Sequence, residues 1–367
     1  MKIAAFTRYG ERAASTRQRL LQYGPAMAQA GIALENHPLL DDAYMRAIAG
    51  GERPSRASVL SAYAKRLRHL SDWTRKADLI WVYAELLPFL PAALERRIFA
   101  RGVPVVYDFD DAFFLTYRLN GNPLVRRLFR GKFEDMLARS AGALCGNSYL
   151  QDYARRFAPE AIYLPTVVDT ATYVPPSRPP EGQIVIGWIG SPSTWRYVIP
   201  VLPALRRVCA RHDAVFRVVG AGKAADPAAL DFPQLKAKDW TQASEVADIQ
   251  GMHIGIMPAV DEIWALGKCG YKLIQYGACG LPVVASPIGA ATDIVSDGVN
   301  GLLAGDASQW EAALGRLIGD AAARARMGEA GRARVVADYS LATHAPRLIH
   351  HLQRIGGGSV SLPGVRG

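Results

Sequence analysis

The sequence Gly267-Lys-Cys-Gly-Tyr-Lys-Leu-Ile-Gln-Tyr-Gly-Ala-Cys-Gly-Leu-Pro-Val-Val-Ala-Ser-Pro-Ile-Gly289 decides the fold of its half of the chain. Its first part, residues 270–278, has helical period, and Gly280 and Pro282 then end the helix before an apolar run. The run, residues 282–285, is typical of a strand buried on both faces. Elsewhere, too, short β-branched runs alternate with longer helical stretches. The sequence therefore predicts an α/β protein with parallel sheets and helical crossovers.

A proline-rich segment divides this pattern in two. The chain has 367 residues, which suggests two domains. Residues 174–182 carry four prolines, which exclude a helix or an inner strand and predict a linker. We expect doubly wound domains over residues 1–173 and 183–340. The helix predicted at 341–355 can belong to either domain, and the Gly/Ser-rich tail 356–367 is predicted to be flexible.

Composition excludes several classes of protein. Half of the residues are apolar, which argues against wholesale disorder. The most apolar stretch, residues 77–94, is interrupted by charges and prolines and is too short to span a bilayer. The first residues lack the apolar core of a signal peptide. The four cysteines stand far apart, without metal-ligand spacing, so we expect a reducing, cytoplasmic location.

The net charge of +10 is uneven along the chain. Residues 1–180 carry 25 basic and 17 acidic side chains, whereas the rest carry 18 and 16. The excess forms two clusters: Arg56, Lys65, Arg66, Arg68, Arg75 and Lys76 around an amphipathic helix, and Arg126, Arg127, Arg130 and Lys132. Basic amphipathic helices suit an anionic membrane surface or a lipid-diphosphate acceptor, although a solvated helix face is the default interpretation. The sequence lacks a nucleic-acid-binding motif, so we expect no nucleic-acid partner.

The quoted stretch also predicts an anion site. Gly270 opens the predicted helix and lets a ligand approach free backbone N–H groups. At 100° per residue, Lys268, Lys272 and Gln275 share one helix face. Two cations and an amide beside a helix start favour a diphosphate pocket. The alternative is an ordinary solvated face of two lysines.

Residues 275–289, followed by Asp293-Ile-Val295 and Asp297-Gly-Val-Asn-Gly-Leu-Leu303, resemble the donor-binding region of family-4 retaining glycosyltransferases. The resemblance implies the GT-B fold, in which two Rossmann-like domains face a cleft. It implies an acceptor-side first domain and a second domain that binds a nucleoside-diphosphate sugar as co-substrate. It also implies sugar transfer to a hydroxyl in the assembly of cell-surface glycan, polysaccharide or glycolipid.

The sequence departs from the family pattern at several positions. The usual Glu-x7-Glu pair falls on Gly267 and Gln275, and Glu262 is a speculative substitute for the first carboxylate. The resemblance assigns donor contacts to Gly10, Gly190, Ser191, Arg196, Lys268, Gly270, Tyr271, Lys272 and Gln275. Among them, Arg196 and Lys272 would stabilise the leaving diphosphate, and Gln275 would bind the ribose. Ser191 stands where the family usually has arginine.

Three carboxylates, Asp108, Asp110 and Asp111, end an apolar strand predicted to reach Tyr107. The resemblance places them at the cleft, where we expect them to bind sugar or acceptor hydroxyls and one of them to assist catalysis. A divalent metal and a helix cap are the alternatives, and we expect no metal. Arg17 and Glu85 are acceptor-side candidates. Arg17 can equally be a solvated side chain, and for Glu85 a surface role is the favoured alternative.

Two other functions compete with a metal-independent, retaining glycosyltransferase. The missing carboxylate pair favours a catalytically reduced protein that binds a sugar nucleotide or glycan. A dinucleotide-dependent oxidoreductase is disfavoured because the loop after the first strand, residues 7–10, lacks G-x-G-x-x-G.

Overall fold

The computed structural model describes residues 1–49, 54–99 and 102–357 and forms two compact units. The first contains Met1–Thr166 and the chain from His344 onward, and the second contains Val167–Thr343. Each unit has one six-stranded parallel sheet covered by helices. The predicted α/β, doubly wound fold class is therefore confirmed. Residues 358–367 of the predicted tail lie outside the described residues.

The sheet of the first unit has the strand order β2-β1-β3-β4-β5-β6. Its strands are β1 Lys2–Tyr9, β2 Ala33–Leu40, β3 Leu79–Tyr83, β4 Val105–Phe109, β5 Gly142–Cys145 and β6 Ala161–Tyr163. β3, β4 and β5 are buried along their whole length, which is why they read as continuous apolar runs.

The helices of this unit connect successive strands. They are α1 Ala14–Arg19, α2 Gly24–Gln29, α3 Asp42–Ala49, α4 Arg56–Trp73, α5 Ala92–Phe99, α6 Leu115–Arg118, α7 Pro123–Phe129, α8 Lys132–Arg139 and α9 Ser148–Arg155. The helical period of the sequence predicts a single helix over residues 124–141, but the structure divides it into α7 and α8 at Gly131. The sequence also predicts one helix over residues 17–30, which a 3₁₀ turn at Leu21–Tyr23 interrupts.

The sheet of the second unit has the order β12-β11-β10-β7-β8-β9. Its strands are β7 Val185–Ile189, β8 Val215–Val219, β9 Leu235–Lys238, β10 Ile254–Met257, β11 Val283–Ala285 and β12 Gly301–Leu303. Counted within the unit, this is the Rossmann order 3-2-1-4-5-6. β9 and β12 are not predicted from the sequence, because they are short and lie at the sheet edges.

The second unit also contains short helices in the loops that follow its strands. Its helices are α10 Pro192–Trp195, α11 Leu202–His212, α12 Glu245–Gln250, α13 Ile263–Leu266, α14 Tyr271–Ala278, α15 Ala290–Ile294, α16 Ala307–Gly319 and α17 Ala321–Asp338. A last helix, α18, covers Leu341–Ile355.

The strand orders predict where each unit binds ligands. Neighbouring crossovers leave in opposite directions between β1 and β3 in the first unit and between β7 and β10 in the second. Ligands of open α/β sheets bind at such switch points, outside the carboxyl ends of the strands. The loops after β1, β3, β7 and β10 are therefore the expected ligand-binding loops.

The chain passes into the second unit before the predicted linker. Arg332 on α17 donates hydrogen bonds to the carbonyls of Thr170 (2.8 Å), Tyr173 (2.6 Å) and Ala278 (2.7 Å). This guanidinium fixes residues 170–173 to the second unit. Residues 174–182 contain no helix or strand. They lie along the same unit, since Gln250 donates to the Val174 carbonyl.

Helix α18 belongs to the first unit from His344 onward. Ala345, Leu348 and Leu352 are buried. Its last turn lies beside β5 and β6, where Arg354 forms an ion pair with Glu160.

Two residues of the predicted basic clusters are buried rather than exposed. Arg66 on α4 is 2 % exposed and donates to the backbone carbonyls of Thr7, His37 and Leu86. Lys132 on α8 is 3 % exposed and is enclosed by carboxylates. The prediction that both contribute to a basic surface is wrong, because their partners come from distant parts of the sequence.

Candidate functional site

The end of β7 and the loop that follows it pack against the Lys272 side chain at the switch point of the second unit. The Lys272 ammonium lies 5.6 Å from the ring centroid of Trp188, which is buried at the end of β7. Gly190 follows in the same loop, and a Cβ there would approach Trp188 to 2.5 Å and Lys272 Cε to 2.9 Å. The position therefore requires glycine because the lysine stem crosses directly over it.

Lys272 is held in this position at an electrostatic cost. Burial and then the charge of Lys268 lower the pKa of Lys272 to about 8. Within the described ranges, no carboxylate lies at ion-pairing distance from its ammonium. A half-buried cation without a counter-ion destabilises the fold, and such groups mark candidate anion sites.

Arg196 and Lys268 surround the same region. The Arg196 guanidinium donates to Glu262 Oε1 at 2.6 Å and lies over the ring of Tyr197. The Tyr197 hydroxyl also donates to Glu262, at 2.7 Å. The charge of Lys268 acts on both Tyr197 and Lys272. The structure thus brings together all three cations that the sequence assigns to a diphosphate.

Glu262 is the residue that the sequence offers as a substitute for the first carboxylate of the missing pair. It precedes α13 in the loop after β10, and its side chain is 34 % exposed. The structure places it against Arg196, at the same switch point. Ser191, by contrast, caps α10 and its hydroxyl contacts Ser193.

Gln275 does not lie with the three cations. α14 begins only at Tyr271, so Lys268 precedes the helix and the predicted common face does not exist. The Gln275 side chain is 3 % exposed, and its amide donates to Glu245 Oε1 at 2.8 Å. Gly270 caps α14 with a φ of +65°, and Tyr271 lies beside Tyr173.

Glu245 is a carboxylate that the sequence analysis missed. It accepts hydrogen bonds from Gln275, from the Tyr173 hydroxyl and, at 2.5 Å, from Trp240 Nε1. The three donors come from three separate segments of the second unit. No local sequence pattern identifies this carboxylate, because its three donors lie far from it along the chain or on other elements.

The three aspartates after β4 have different environments. Asp108 lies within the strand, is fully buried, and accepts from Arg19 Nε at 3.0 Å and Trp81 Nε1 at 3.2 Å. Arg19 also donates to the Leu164 carbonyl, so the pair joins α1 to the ends of β4 and β6. Asp108 therefore has no surface for a ligand, contrary to the prediction that it faces a cleft.

Asp110 and Asp111 lie beyond the strand and remain half-buried. Burial raises the pKa of Asp110 to about 6, although Arg19 and the Tyr83 hydroxyl oppose the shift. Tyr83, at the end of β3, donates to Asp110 and also contacts Ser15. Asp110 thus follows β4 but contacts the end of β3, and its raised pKa brings its titration nearer to neutral pH.

The remaining predicted residues of the first unit have structural contacts. Arg17 Nη1 donates to the carbonyls of Glu11 and Arg12, which fixes the loop after β1. Gly10 lies in this loop, where a Cβ would approach Asp42 Oδ1 to 2.5 Å. Glu85 is 8 % exposed and accepts from Lys132 and Tyr117, so it is not a surface residue.

No group of three or more His, Cys, Asp or Glu side chains in the described ranges is arranged to hold a metal ion. The absence of a metal stays an expectation.

Comparison with known sequences identifies one matching region. Residues 183–320 match the family model described as "Glycosyl transferases group 1". A curated relative from Corynebacterium glutamicum, a GDP-mannose-dependent monoacylated alpha-(1-6)-phosphatidylinositol monomannoside mannosyltransferase, is 30% identical over 157 residues. This alignment covers 40% of each chain, so the chain spans less than half the length of that relative.

Solved structures match over nearly the whole chain. HepE from Anabaena, solved in complex with UDP-glucose, has a TM-score of 0.72 at 14% identity. The match covers 96% of this chain and 100% of HepE. WaaG, a glycosyltransferase involved in lipopolysaccharide biosynthesis, has a TM-score of 0.68 at 16% identity, with 97% and 100% of the two chains covered. These similarities confirm the predicted two-domain GT-B fold class.

Proposed function

We propose that this chain, which carries at residues 183–320 a domain of the group 1 glycosyltransferases, is a sugar transferase. It transfers a sugar from a nucleoside-diphosphate sugar to a hydroxyl acceptor. The donor binds the second unit, and the acceptor is a glycan or a lipid-linked molecule. The curated mannosyltransferase acts on a phosphatidylinositol mannoside and WaaG participates in lipopolysaccharide biosynthesis, which supports a role in glycolipid or polysaccharide assembly.

The observation that carries this proposal is the environment of Lys272. Its ammonium is half-buried, lies next to Lys268 and lacks a carboxylate partner among the described residues. Folding does not explain such an arrangement, since an unpaired buried charge is unfavourable. A diphosphate compensates the charge, and it would raise the pKa of Lys272 toward its ordinary value.

Arg196, Lys268 and Lys272 supply what departure of a nucleoside diphosphate requires. As the bond between the anomeric carbon and the diphosphate oxygen breaks, negative charge grows on that oxygen. Fixed cations stabilise this charge without a metal ion. The acceptor oxygen forms its bond on the same face of the sugar, and its proton passes to the departing diphosphate. The transfer is then retaining and metal-independent.

Peripheral membrane contact is part of the proposal. None of the described helices is both long enough and apolar enough to cross a bilayer. Contact is instead assigned to the exposed basic residues of α4 and α7 in the first unit. Arg66 on α4 and Lys132 on α8 are buried and take no part. The inner, cytoplasmic face is supported by the four cysteines, which are unpaired and buried.

Titration calorimetry with uridine, guanosine and deoxythymidine diphosphates tests the proposal. We expect one of them to bind, and the absence of binding by all three would overturn the donor site. Release of nucleoside diphosphate from the matching sugar donor without acceptor then separates an enzyme from a catalytically reduced binding protein. Sustained release would exclude the second function.

Asp110 is expected to set the acidic limb of the pH profile. We assign it to hydrogen bonding of the acceptor hydroxyl, which requires the carboxylate. Because its pKa is about 6, kcat/KM should fall as the pH decreases below 6. Asp110→Asn should lower the plateau by about a hundredfold and remove this limb. An acidic limb that persists unchanged in the variant would contradict the assignment.

A further inference from the structure

An apolar band lies exposed on the first unit. Its members come from α4, from the loop after β3 and from the segment of α6 and α7. They are Leu60 (70 % exposed), Leu67 (46 %), Phe89 (47 %), Leu119 (60 %), Leu124 (61 %) and Leu128 (60 %). Leu124 and Leu128 are four residues apart on α7 and therefore project from one face.

Contacts among neighbouring residues connect the elements that carry the band. Tyr63, which lies between Leu60 and Leu67 on the same stripe of α4, donates its hydroxyl proton to the Pro88 carbonyl at 2.7 Å. The next residue, Phe89, packs edge-on against Tyr117 of α6 with centroids 5.4 Å apart. α6 packs in turn against α7. The segments that carry the six side chains are thus packed next to one another.

Positive charge flanks the band on both sides. Arg56, Lys65 and Arg68 are exposed on α4, and Arg127 and Arg130 are exposed beside Leu128. Residues 112–133 contain no aspartate or glutamate. Neither Arg127 nor Arg130 forms an ion pair with a carboxylate of the described residues.

We propose that this apolar band inserts into the surface of an anionic lipid bilayer. The proposal rests on the membrane contact in the proposed function and names the surface that makes it. The leucines and Phe89 enter the boundary between headgroups and acyl chains, while the arginines contact lipid phosphates. Each exposed cation near an anionic membrane adds to the attraction.

Charge and side-chain type favour a bilayer over other occupants. In a symmetric contact between two copies, each band would meet the partner's identical arginine clusters, and like charges repel. Single-stranded nucleic acid requires aromatic side chains on which bases stack, whereas five of the six band residues are leucines.

Vesicle binding by the full chain tests the band directly. We expect co-sedimentation with vesicles of phosphatidylcholine and phosphatidylglycerol, and much weaker binding to phosphatidylcholine alone. Leu124→Ser with Leu128→Ser should reduce the partition coefficient about tenfold or more. The matched control is Val299→Ser with Val336→Ser, two exposed valines of the second unit, which should leave binding unchanged.

A fluorescent probe reports insertion itself. The native cysteines are buried, so Leu128→Cys can be labelled selectively with an environment-sensitive fluorophore. Anionic vesicles should shift its emission to the blue, and a label at Val299→Cys should not respond. Equal vesicle binding by the serine variant, or a dimer in solution that the variant dissociates, would overturn the proposal.

The failure of this inference is separable from failure of the proposed function. Nucleoside diphosphate titration requires no vesicles, and the serine variant should retain the wild-type affinity. Normal nucleotide binding together with unchanged vesicle binding in that variant would reject the band alone.

Discussion

Replacing Lys272 by methionine is expected to lower kcat/KM by about a hundred- to a thousandfold. Removing one group that stabilises charge developing on a leaving oxygen usually lowers the rate by this factor. Affinity for the nucleoside diphosphate should fall as well, since this product carries the negative charge that Lys272 is proposed to bind. Steady-state kinetics and calorimetry measure the two effects. Lys236→Met, at an exposed lysine on β9 of the same unit, is the matched control and should behave as wild type.

Stability distinguishes a binding role of Lys272 from a structural one. Its pKa in the folded protein, about 8, lies below the ordinary value of 10.5. Between these values the unfolded chain binds more protons, so wild-type stability should rise with pH across this window. The methionine variant should lack this rise and should be at least as stable as wild type at pH 7. A large loss of stability at pH 7 would show that Lys272 holds the fold.

The same pKa predicts how donor binding responds to pH. At pH 9 only a minority of Lys272 side chains carry a proton, so affinity for the diphosphate should be about tenfold lower than at pH 7. Lys272→Arg retains the charge and should flatten this dependence. A wild-type affinity that does not change between pH 7 and pH 9 would contradict the position of the diphosphate at Lys272.

The variant Lys132→Met is expected to destabilise the first unit by about 3–5 kcal/mol. The Lys132 ammonium lies 2.6 Å from Glu85 and 2.8 Å from Glu95, and both carboxylates are buried. Breaking a buried ion pair by removing one partner leaves uncompensated charge, which accounts for this magnitude. Lys132 also donates to the Leu87 carbonyl, so the loop after β3 loses this hydrogen bond together with the ion pair to Glu85.

Urea unfolding followed through the tryptophans of the first unit, Trp73 and Trp81, measures the effect. The deficit should shrink as the pH falls, because burial already raises the pKa of Glu95 and loss of the ammonium raises it further. Arg130→Met, at the exposed cation two residues earlier, should change stability little. A deficit independent of pH would indicate lost packing instead of unpaired carboxylates.

The sequence predicted the strands best where they are buried on both faces. The sequence predicts strands at Leu79–Tyr83 and Gly142–Cys145 and a helix at Arg56–Trp73, and β3, β5 and the capped helix α4 have these bounds. The errors arise where tertiary contacts override local pattern. β4 was predicted to end at Tyr107 but continues to Phe109, and this shift of two residues moves Asp108 from the ligand-binding edge into the core.

The candidate site was predictable in its charges but not in its geometry. Helical spacing placed Lys268, Lys272 and Gln275 on one face, but α14 begins after Lys268. The burial of Gln275 depends on Glu245, thirty residues earlier, whose position no local pattern encodes. Likewise, the partners of Arg66 are backbone carbonyls of β1, β2 and the loop after β3, so its burial follows only from the assembled sheet.

Helix α18 gives the two units different folding histories during synthesis. The second unit is continuous, from Val167 to Thr343, and all of its strands have been synthesised before α18 is complete. The first unit needs Leu348 and Leu352 to finish its core, although its sheet is translated earlier. We therefore expect the first unit to keep an exposed hydrophobic surface on the ribosome until α18 has emerged. On this basis the first unit, and not the second, should be the part that chaperones bind during synthesis.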